Sequence, residues 1–316
     1  MSGLSVSQLS ETPIQKLRAF YCENSIYIKR DDLLPFCFGG NKARIARCFM
    51  EDAIRKKATC MVAYGSTRSN LSRVLACACA AAGIRCIVIS PSDDDGGRFD
   101  SFNSEIVSRL DAEIVPCVKG QVRQVVAAVL QQLREEGERP YYIYGDETGS
   151  GNEAIPVQAY VDVFEEICRQ ERSMGVAFDY VFLATGTGMT QAGLLAGKAK
   201  TGRRVKIVGI SVARNREAAE AGVNRHLAAY LPDSYPMVEV CDSYLHGGYG
   251  KSDDRQRLTM EKLMRSEGIQ SDETYVGKAF DGMLRYLGEK HIEGSSVLFL
   301  HTGGTPLYFD YLRGNQ

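Results

Sequence analysis

The stretch YVFLATGTGMTQAGLLAGKAK, residues 180–200, decides the fold. Its first six residues are mostly apolar, which is typical of a short strand buried on both faces. A turn with two glycines among threonines follows, and residues 189–200 then carry the apolar spacing of a helix. A strand that passes through a glycine turn into a helix is the basic unit of an α/β protein.

The same alternation runs through the rest of the chain. Strands are predicted over 26–29, 59–63, 85–90, 113–117, 141–144, 180–185, 206–212, 237–241 and 296–301. Helices are predicted over 43–57, 70–82, 101–111, 121–136, 153–171, 189–200, 215–229, 254–267 and 277–288. Strands that alternate with helices in this way predict parallel sheets covered by helices on both faces.

The length of the chain and two polar segments indicate more than one domain. At 316 residues the chain is long for one hydrophobic core, so two sub-domains are expected. The clearest breaks are YGDETGSGN (144–152) and PSDDDGGRFD (91–100), and we place the crossover between domains near 145–157. The three aspartates at 93–95 lack a regular ligand spacing, so we interpret them as a solvated loop.

The composition excludes several classes of function. Hydrophobic residues make up 44% and charged residues 24%, and the formal net charge is −1, so nucleic acid and anionic membranes are not expected as partners. No segment approaches the roughly 20 apolar residues of a membrane span, and the N-terminus lacks a signal-peptide pattern. The ten cysteines contain no C-x-x-C pair, and we interpret most of them as small buried apolar residues. A cytoplasmic protein is therefore expected.

The turn TGTGMTQAG (185–193) is predicted to bind a phosphate at the start of a helix. A dinucleotide-binding fingerprint would need glycine in place of Gln191, and the next strand ends without an acid for a ribose. A P-loop would need Gly-Lys-Ser/Thr, which is absent, while a plain turn stays open as an alternative. The predicted phosphate ligands are Thr185, Gly186, Thr187, Gly188 and Thr190.

Two further strands end in polar residues. In YGSTRSNLSR (64–73), Ser69 or Asn70 would simply cap the helix at 70–82, but the hydroxyls at 66 and 67 exceed what one cap needs. The surplus donors favour a carboxylate or a phenolic oxygen as ligand. In HTGGTP (301–306), Thr302 is placed to meet a ligand, and His301 lacks the partner spacing of a metal site. No metal is predicted.

A lysine follows two glycines in GGNK (39–42), where a helix is predicted to begin. Read alone, Lys42 is either a solvated side chain beside a turn or a site residue. A lysine near a phosphate site forms a Schiff base with a carbonyl when burial and cationic neighbours lower its pKa. Phosphate, aldehyde and lysine together indicate pyridoxal phosphate as the cofactor.

Six motifs, in this order, resemble the pyridoxal-phosphate enzymes of the 1-aminocyclopropane-1-carboxylate deaminase and D-cysteine desulfhydrase family. They are KRDD with GGNK (29–32, 39–42), SN with Arg73 (69–70), TGTGMTQAGL (185–194), GYG (248–250), YVGK (275–278) and HTGG-x-P (301–306).

The resemblance implies the fold of the tryptophan-synthase-β-like, fold type II group. That fold has two open, twisted, mostly parallel sheets flanked by helices. A large cofactor-binding domain (1–45 and 153–316) and a small domain (46–152) are expected. Relatives also imply a homodimer.

The resemblance implies roles for individual residues as well. Lys42 would hold the cofactor as a Schiff base and later move the α-proton of the substrate. Asn70 would hydrogen-bond the phenolic oxygen of the cofactor, and Ser69 would lie beside the substrate carboxylate. The 185–190 turn would hold the phosphate. Tyr249 and Tyr275 would flank the substrate and assist proton transfer, and Thr302 would approach the pyridine nitrogen.

Two positions indicate the branch of the family. The ring-opening deaminases carry Glu after the second tyrosine and Leu in HLGG, whereas this chain has Val276 and Thr302. A carboxylate beside the pyridine nitrogen would keep it protonated, and a threonine hydroxyl perturbs it much less. The resemblance therefore implies α,β-elimination from a small amino acid to a 2-oxo acid and ammonia, as in a D-cysteine desulfhydrase. Ring opening of 1-aminocyclopropane-1-carboxylate and β-replacement stay open.

The chain departs from the family pattern at Val276, which matches neither branch, and at two charged positions. Arg68 stands where glutamine is usual before Ser-Asn, and Lys251 follows GYG. We hypothesise that Arg68, with Lys251, selects a second anionic group on the substrate. Two other readings remain: a Rossmann-type nucleotide-binding oxidoreductase, which Gln191 disfavours, and a cofactor-binding protein without turnover.

Overall fold

The computed structural model describes residues 10–20, 23–92 and 101–314. The expectations for the first nine residues, for Cys22 and for the acidic loop at 93–95 lie outside these ranges. The described residues form two compact units. The larger unit consists of residues 10–41 and 157–314, and the smaller unit consists of residues 42–156.

The strands of the described residues are short and mostly buried. They are β1 (Ile14–Lys16), β2 (Ser25–Arg30), β3 (Cys60–Tyr64), β4 (Arg85–Ser92), β5 (Glu113–Val118), β6 (Pro140–Tyr142), β7 (Tyr180–Thr185), β8 (Lys206–Ser211), β9 (Val240–Cys241) and β10 (Ser296–His301).

Helices separate most of these strands. They are α1 (Asn41–Arg55), α2 (Asn70–Ala82), α3 (Phe102–Ser108), α4 (Val122–Glu135), α5 (Gln158–Met174), α6 (Met189–Thr201), α7 (Arg216–Tyr230), α8 (Asp254–Glu267), α9 (Val276–Glu289) and α10 (Thr305–Gly314). Short 3-10 helices lie at Asp31–Leu33, Lys119–Gln121 and Ile155–Val157. In the described ranges, no helix is both long enough and apolar enough to span a membrane.

The larger unit is built on a six-stranded sheet in the order β1-β2-β10-β7-β8-β9. All neighbouring strands are parallel except β1, which pairs with β2 in the antiparallel sense. The central strands β2, β7, β8 and β10 are buried along nearly their whole length, as expected for strands covered on both faces.

Aromatic contacts mark the apolar core on one face of this sheet. Phe280 of α9 packs edge-on against Phe299 of β10, with ring centroids 5.1 Å apart, and against Phe20 at 5.0 Å. Because successive residues of the central strands are buried, both faces of these strands are covered. Polar residues that bind a ligand are therefore expected at the carboxyl ends of the strands.

The smaller unit has a four-stranded, fully parallel sheet in the order β5-β4-β3-β6. Helix α2 follows β3 and is capped at both ends. The side chain of Ser69 accepts a hydrogen bond from the backbone of Ser72, and Gly83 closes the helix in the left-handed region.

The predicted fold class is confirmed, and every predicted strand and helix overlaps an observed element in the described ranges. The helix predicted over 153–171 begins only at Gln158, because a 3-10 turn containing Pro156 precedes it. Strand β1 and helix α10 were not predicted. β1 has three residues, too few for a periodic pattern.

Seven cysteines are free thiols, and all but Cys241 are buried: Cys48, Cys60, Cys79, Cys86, Cys117, Cys168 and Cys241. The interpretation of most cysteines as small buried residues is confirmed for this group. Cys37 and Cys77 are not free thiols and are not part of this group.

Candidate active site

The predicted phosphate turn joins β7 to α6 in the larger unit. Gly188 is the N-cap of α6 and has a φ of 92°, and a Cβ there would lie 2.8 Å from the backbone nitrogen of Val223. Only glycine fits this position. The first N–H groups of an α-helix have no partner within the helix, so this turn presents donors suited to an anion.

Gln191, the residue that breaks the dinucleotide fingerprint, has a structural role. Its side chain is fully buried, accepts a hydrogen bond from Thr185 Oγ1 at 2.7 Å and donates to the carbonyl of Glu239 at 2.8 Å. A Cβ on Gly209 would clash with this amide. The hydroxyl of Thr185 is thus committed to Gln191, and the donors left in the turn are backbone N–H groups with the hydroxyls of Thr187 and Thr190.

Two glycine pairs bring the GGN and HTGG segments into backbone contact in the larger unit. Gly40 has a φ of 91°, and a Cβ there would lie 2.8 Å from the carbonyl oxygen of Thr302. A Cβ on Gly303 would lie 2.5 Å from the Cα of Gly40. Asn41 completes the junction, since its backbone N–H donates to the Thr302 carbonyl at 3.1 Å and its side chain donates to Thr190 Oγ1 at 2.9 Å.

The KRDD segment anchors this junction. The N–H of Gly40 donates to the carbonyl of Asp31 at 2.8 Å, and the Asp31 carboxylate accepts bonds from Thr12 and Tyr160. Arg30 and Asp32 form an ion pair with each other, with two hydrogen bonds of 2.9 and 2.8 Å.

Lys29 has its partners outside the KRDD segment. It is fully buried and pairs with Glu166 of α5. Its Nζ also donates to the carbonyl and the hydroxyl of Thr12, at 2.8 Å each. These partners lie in the larger unit, so the segment ties the start of the chain to α5 and supports the glycine turn.

Lys42 follows Asn41 directly and is the second residue of α1. Its side chain is partly exposed, and its Nζ makes no hydrogen bond or ion pair within the described part of the chain. Burial lowers the pKa of Lys42 from its ordinary value of 10.5 to about 8. A lysine with this pKa is neutral in a useful fraction near physiological pH, as a nucleophile or a base must be.

The Ser-Asn segment lies at the start of α2 in the smaller unit. Ser69 is the N-cap, as the simpler interpretation predicted, and Asn70 is the first helical residue. Asn70 Oδ1 accepts hydrogen bonds from Asn103 Nδ2 at 3.0 Å and from an Arg73 nitrogen at 3.4 Å. Arg68 is half-buried, and its Nε has no hydrogen-bond partner among residues 10–20, 23–92 and 101–314.

The two predicted tyrosines meet in the larger unit. Their hydroxyls lie 2.8 Å apart, and the rings of Tyr249 and Tyr275 pack edge to face with centroids 5.8 Å apart. A shared hydrogen bond between two phenols lets either one donate a proton while the other accepts it.

Lys278, to which the sequence assigned no role, fixes the loop that carries Tyr249. Its Nζ is buried and donates to the carbonyls of Leu245 at 2.9 Å, Gly248 at 2.7 Å and Val212 at 3.3 Å. Burial lowers the pKa of this lysine to about 8, and Asp272 and Glu273 oppose the effect.

Asp272 fixes Tyr275 in a similar way and was also missed. Its carboxylate accepts bonds from the backbone N–H groups of Thr274, Tyr275 and Val276 at 2.8 to 3.0 Å. Burial raises the pKa of Asp272 to about 6, although these bonds favour the ionised form. A Cβ on Gly304 would lie 2.7 Å from its Oδ1, so the HTGG turn packs on it.

His301 is a structural residue. Its Nε2 is 2.7 Å from the carbonyl of Gln270, and the N–H of Gly303 donates to its Nδ1 at 3.2 Å. The Nδ1 also lies 3.5 Å from Asp32 Oδ1, so both ring nitrogens have partners within the larger unit.

One group of side chains has the spacing of metal ligands within the described ranges, namely His246, Asp253 and Asp281. Arg285 is bonded to both carboxylates, at 2.7 Å from Asp253 and 2.6 Å from Asp281. The guanidinium therefore already occupies both carboxylates that a metal ion would need.

Comparisons with known proteins agree with this geometry. A family model described as "Pyridoxal-phosphate dependent enzyme" matches residues 7–303. A D-cysteine desulfhydrase of Serratia proteamaculans is 29% identical over 313 residues, covering 96% of this chain and 94% of the relative. A 1-aminocyclopropane-1-carboxylate deaminase of Mesorhizobium japonicum is 30% identical over 319 residues, covering 95% and 94%.

Solved structures show the same fold. The structure of a homologue of 1-aminocyclopropane-1-carboxylate deaminase superposes with a TM-score of 0.82 at 29% identity, over 97% of this chain and 94% of the other. An O-ureido-L-serine synthase superposes with a TM-score of 0.69 at 16% identity, over 96% and 94%. The predicted resemblance and cofactor are confirmed, and the oxidoreductase alternative is wrong. The chain belongs to the family of pyridoxal-phosphate dependent enzymes.

Proposed function

We propose that the protein is a lyase that removes a β-substituent from a small amino acid by α,β-elimination, giving a 2-oxo acid and ammonia. The observation that favours elimination over ring opening is the residue at position 276, which is valine. It follows the second tyrosine, it is fully buried in the apolar core of the larger unit, and it supplies no acid. A good β leaving group makes smaller demands on the cofactor ring than a cyclopropane does.

The residues fit pyridoxal phosphate. We assign the phosphate to the 185–190 turn, whose glycine cannot be replaced and whose backbone donors suit an anion. We assign the covalent attachment to Lys42, the phenolic oxygen to Asn70 and the pyridine nitrogen to Thr302. On this proposal residues 1–45 and 153–316 form the cofactor-binding domain, and 46–152 form the small domain.

When bound, pyridoxal phosphate accepts the electron pair that the α-carbon releases. The chain supplies the proton transfers. The amine of Lys42 would become free when the amine of the substrate replaces it, and it would then take the α-proton, for which its lowered pKa fits it. Ser69 holds the substrate carboxylate, and Tyr249 with Tyr275 passes a proton to the departing group. The β-substituent leaves with its bonding electron pair, and water then displaces the nitrogen as ammonia.

We propose that Arg68 sets the substrate preference. Its guanidinium is half-buried, and its Nε has no hydrogen-bond partner in the part of the chain that the structure describes. The backbone carbonyl of Arg68 is held by Asn103. Binding of a second anionic group would supply the missing partner. The preferred substrates would then be β-substituted amino acids whose leaving group carries a negative charge.

A substrate panel tests this function. The purified protein should be yellow, borohydride should bleach the colour, and Lys42→Ala should lack it. Both enantiomers of acidic and neutral β-substituted amino acids, together with 1-aminocyclopropane-1-carboxylate, are then assayed for ammonia and 2-oxo acid. Turnover of the cyclopropane alone, or of no amino acid, would contradict the proposal. Arg68→Gln should shift the preference toward neutral substrates, and an unchanged preference would remove Arg68 from the site.

We also propose that the enzyme is a cytoplasmic homodimer. Seven free thiols, six of them buried, support a reducing compartment, whereas Cys37 and Cys77 are not free thiols and do not add to this support. Phe309 and Leu312 are exposed on α10, where apolar side chains suit a contact with a second copy. Light scattering should give twice the chain mass of 34.8 kDa, and the mass of one chain would contradict the dimer.

A further inference from the structure

The side-chain amide of Asn70 is held in one orientation by its neighbours in the smaller unit. Asn103, on α3, donates one hydrogen bond from Nδ2 to Asn70 Oδ1 at 3.0 Å and another to the backbone carbonyl of Arg68 at 3.0 Å. Asn103 is 1% exposed, so water does not compete for these bonds.

The chemistry of the partners fixes which end of each amide faces which. A backbone carbonyl only accepts hydrogen bonds, so Asn103 must present its NH₂ group to Arg68. The second hydrogen of that NH₂ points to Asn70, which must therefore present its oxygen. A guanidinium only donates, and the approach of Arg73 to the same oxygen at 3.4 Å favours the same orientation.

The consequence for Asn70 concerns its own NH₂ group. Both contacts of the side chain use Oδ1, and no hydrogen bond among the described residues uses Nδ2. The NH₂ group of Asn70 is left as a donor for a ligand. An unconstrained amide would turn either end toward that ligand.

A second contact docks the start of α3 on the same loop. Ser101, the N-cap of α3, donates from its hydroxyl to the carbonyl of Thr67 at 2.6 Å. This bond holds the loop without touching the Asn70 amide, so Ser101 is a natural control for Asn103.

We propose that Asn103 is a positioning residue that locks the Asn70 amide with its NH₂ group toward the phenolic oxygen of the cofactor. The inference rests on the assignment of Asn70 in the proposed function. The phenolic oxygen carries negative charge when the cofactor is bound through a lysine, and a carbonyl turned toward it would repel it.

Asn103→Asp is the sharpest test, because it keeps the shape of the side chain and replaces the donor by an acceptor. The Asn70 amide should then turn its NH₂ group to the new carboxylate. We expect cofactor affinity to fall about tenfold and the visible absorption band, with its pH dependence, to shift, since a hydrogen bond to a charged group is lost. Asn103→Ala, which removes the donor without reversing it, should give a smaller effect in the same direction.

Asn70→Ala separates this inference from the proposed function. If Asn103 acts through Asn70, Asn103→Asp should change affinity and absorption less than twofold once Asn70→Ala is present. Ser101→Ala should leave the absorption band unchanged. Thermal unfolding confirms that each variant is folded, and Asn103→Ala serves if Asn103→Asp does not fold.

Each result decides between the two proposals. A silent Asn70→Ala would overturn the assignment of Asn70 itself. A silent Asn103→Asp, an undiminished effect in the double variant, or an equal shift with Ser101→Ala would leave that assignment standing and overturn the role of Asn103.

Discussion

At the scale of the residue, Lys42 combines the reactive role that we propose for it with a cost to the fold. Burial lowers its pKa from 10.5 to about 8, so between these values the unfolded chain binds more protons than the folded chain. Protein without cofactor is therefore destabilised by this charge below pH 8, and the penalty disappears as the pH rises toward 10.5.

Lys42→Met should stabilise the cofactor-free protein at pH 7 by about 1–3 kcal/mol, a range reduced because the side chain is partly exposed. Urea unfolding at pH 7 and pH 10 measures the difference, which should shrink at the higher pH. Lys290→Met, on the surface, is the matched control and should show no such gain. An equal gain at both pH values would contradict the prediction.

Sequence motifs point to the residues that we propose for ligand contact, and they do not mark the residues that position them. Lys42 and the tyrosine pair stand in recognisable motifs, and the two tyrosine hydroxyls do meet. Asn103 and Lys278 act on backbone carbonyls far away in sequence, so no local pattern marks them. Thr185 donates its hydroxyl to Gln191, and the carbonyl of Glu239, next to β9, holds the Gln191 amide in place. No local pattern marks this bond either.

At the scale of the element, glycine turns hold the strand ends together. Gly40 shows two separate constraints, a φ of 91° and a close approach to the Thr302 carbonyl, whereas Gly83 has a φ of 65° and open space around it. The left-handed conformation costs an alanine about 1–2 kcal/mol at either position.

Gly40→Ala should therefore destabilise the protein by about 3 kcal/mol or more, and Gly83→Ala by only about 1 kcal/mol. Urea unfolding of the two variants measures the excess at Gly40, which is the cost of moving the HTGG backbone. If both variants lost the same free energy of unfolding, the left-handed backbone conformation alone would explain why residue 40 is glycine.

Most elements were predictable because buried parallel strands and amphipathic helices have strong periods. Ends were less predictable. Helix α1 begins at Asn41, two residues before the predicted start, because bonds to Thr190 and Thr302 fix its first turn. Thr190 and Thr302 lie far from Asn41 in the sequence, so a local pattern cannot contain these bonds.

At the scale of the whole molecule, cofactor binding and stability are linked. A ligand that binds only the folded protein stabilises it by about 2.7 kcal/mol at 100 times its dissociation constant. On the proposed assignments, the phosphate satisfies backbone N–H groups of the 185–190 turn, and attachment of the aldehyde removes the unfavourable charge of Lys42.

Removing the cofactor should therefore lower the melting temperature, and three additions should restore it to different degrees. Pyridoxal phosphate should restore it fully. Inorganic phosphate should restore part of it through the turn alone, and pyridoxal, which lacks the phosphate, should act only through Lys42. Calorimetry of the cofactor-free protein measures all three.

Thr190→Val isolates the contribution of the phosphate turn. It removes the hydroxyl that Asn41 bonds, so it should weaken the response to inorganic phosphate and leave the response to pyridoxal. Thr201→Val, at the opposite end of α6, removes a hydroxyl that donates to the carbonyls of Gly197 and Lys198 and should change neither response. If phosphate stabilised Thr190→Val as strongly as the unmodified protein, the anion would bind elsewhere, and the assignment of the 185–190 turn would be wrong.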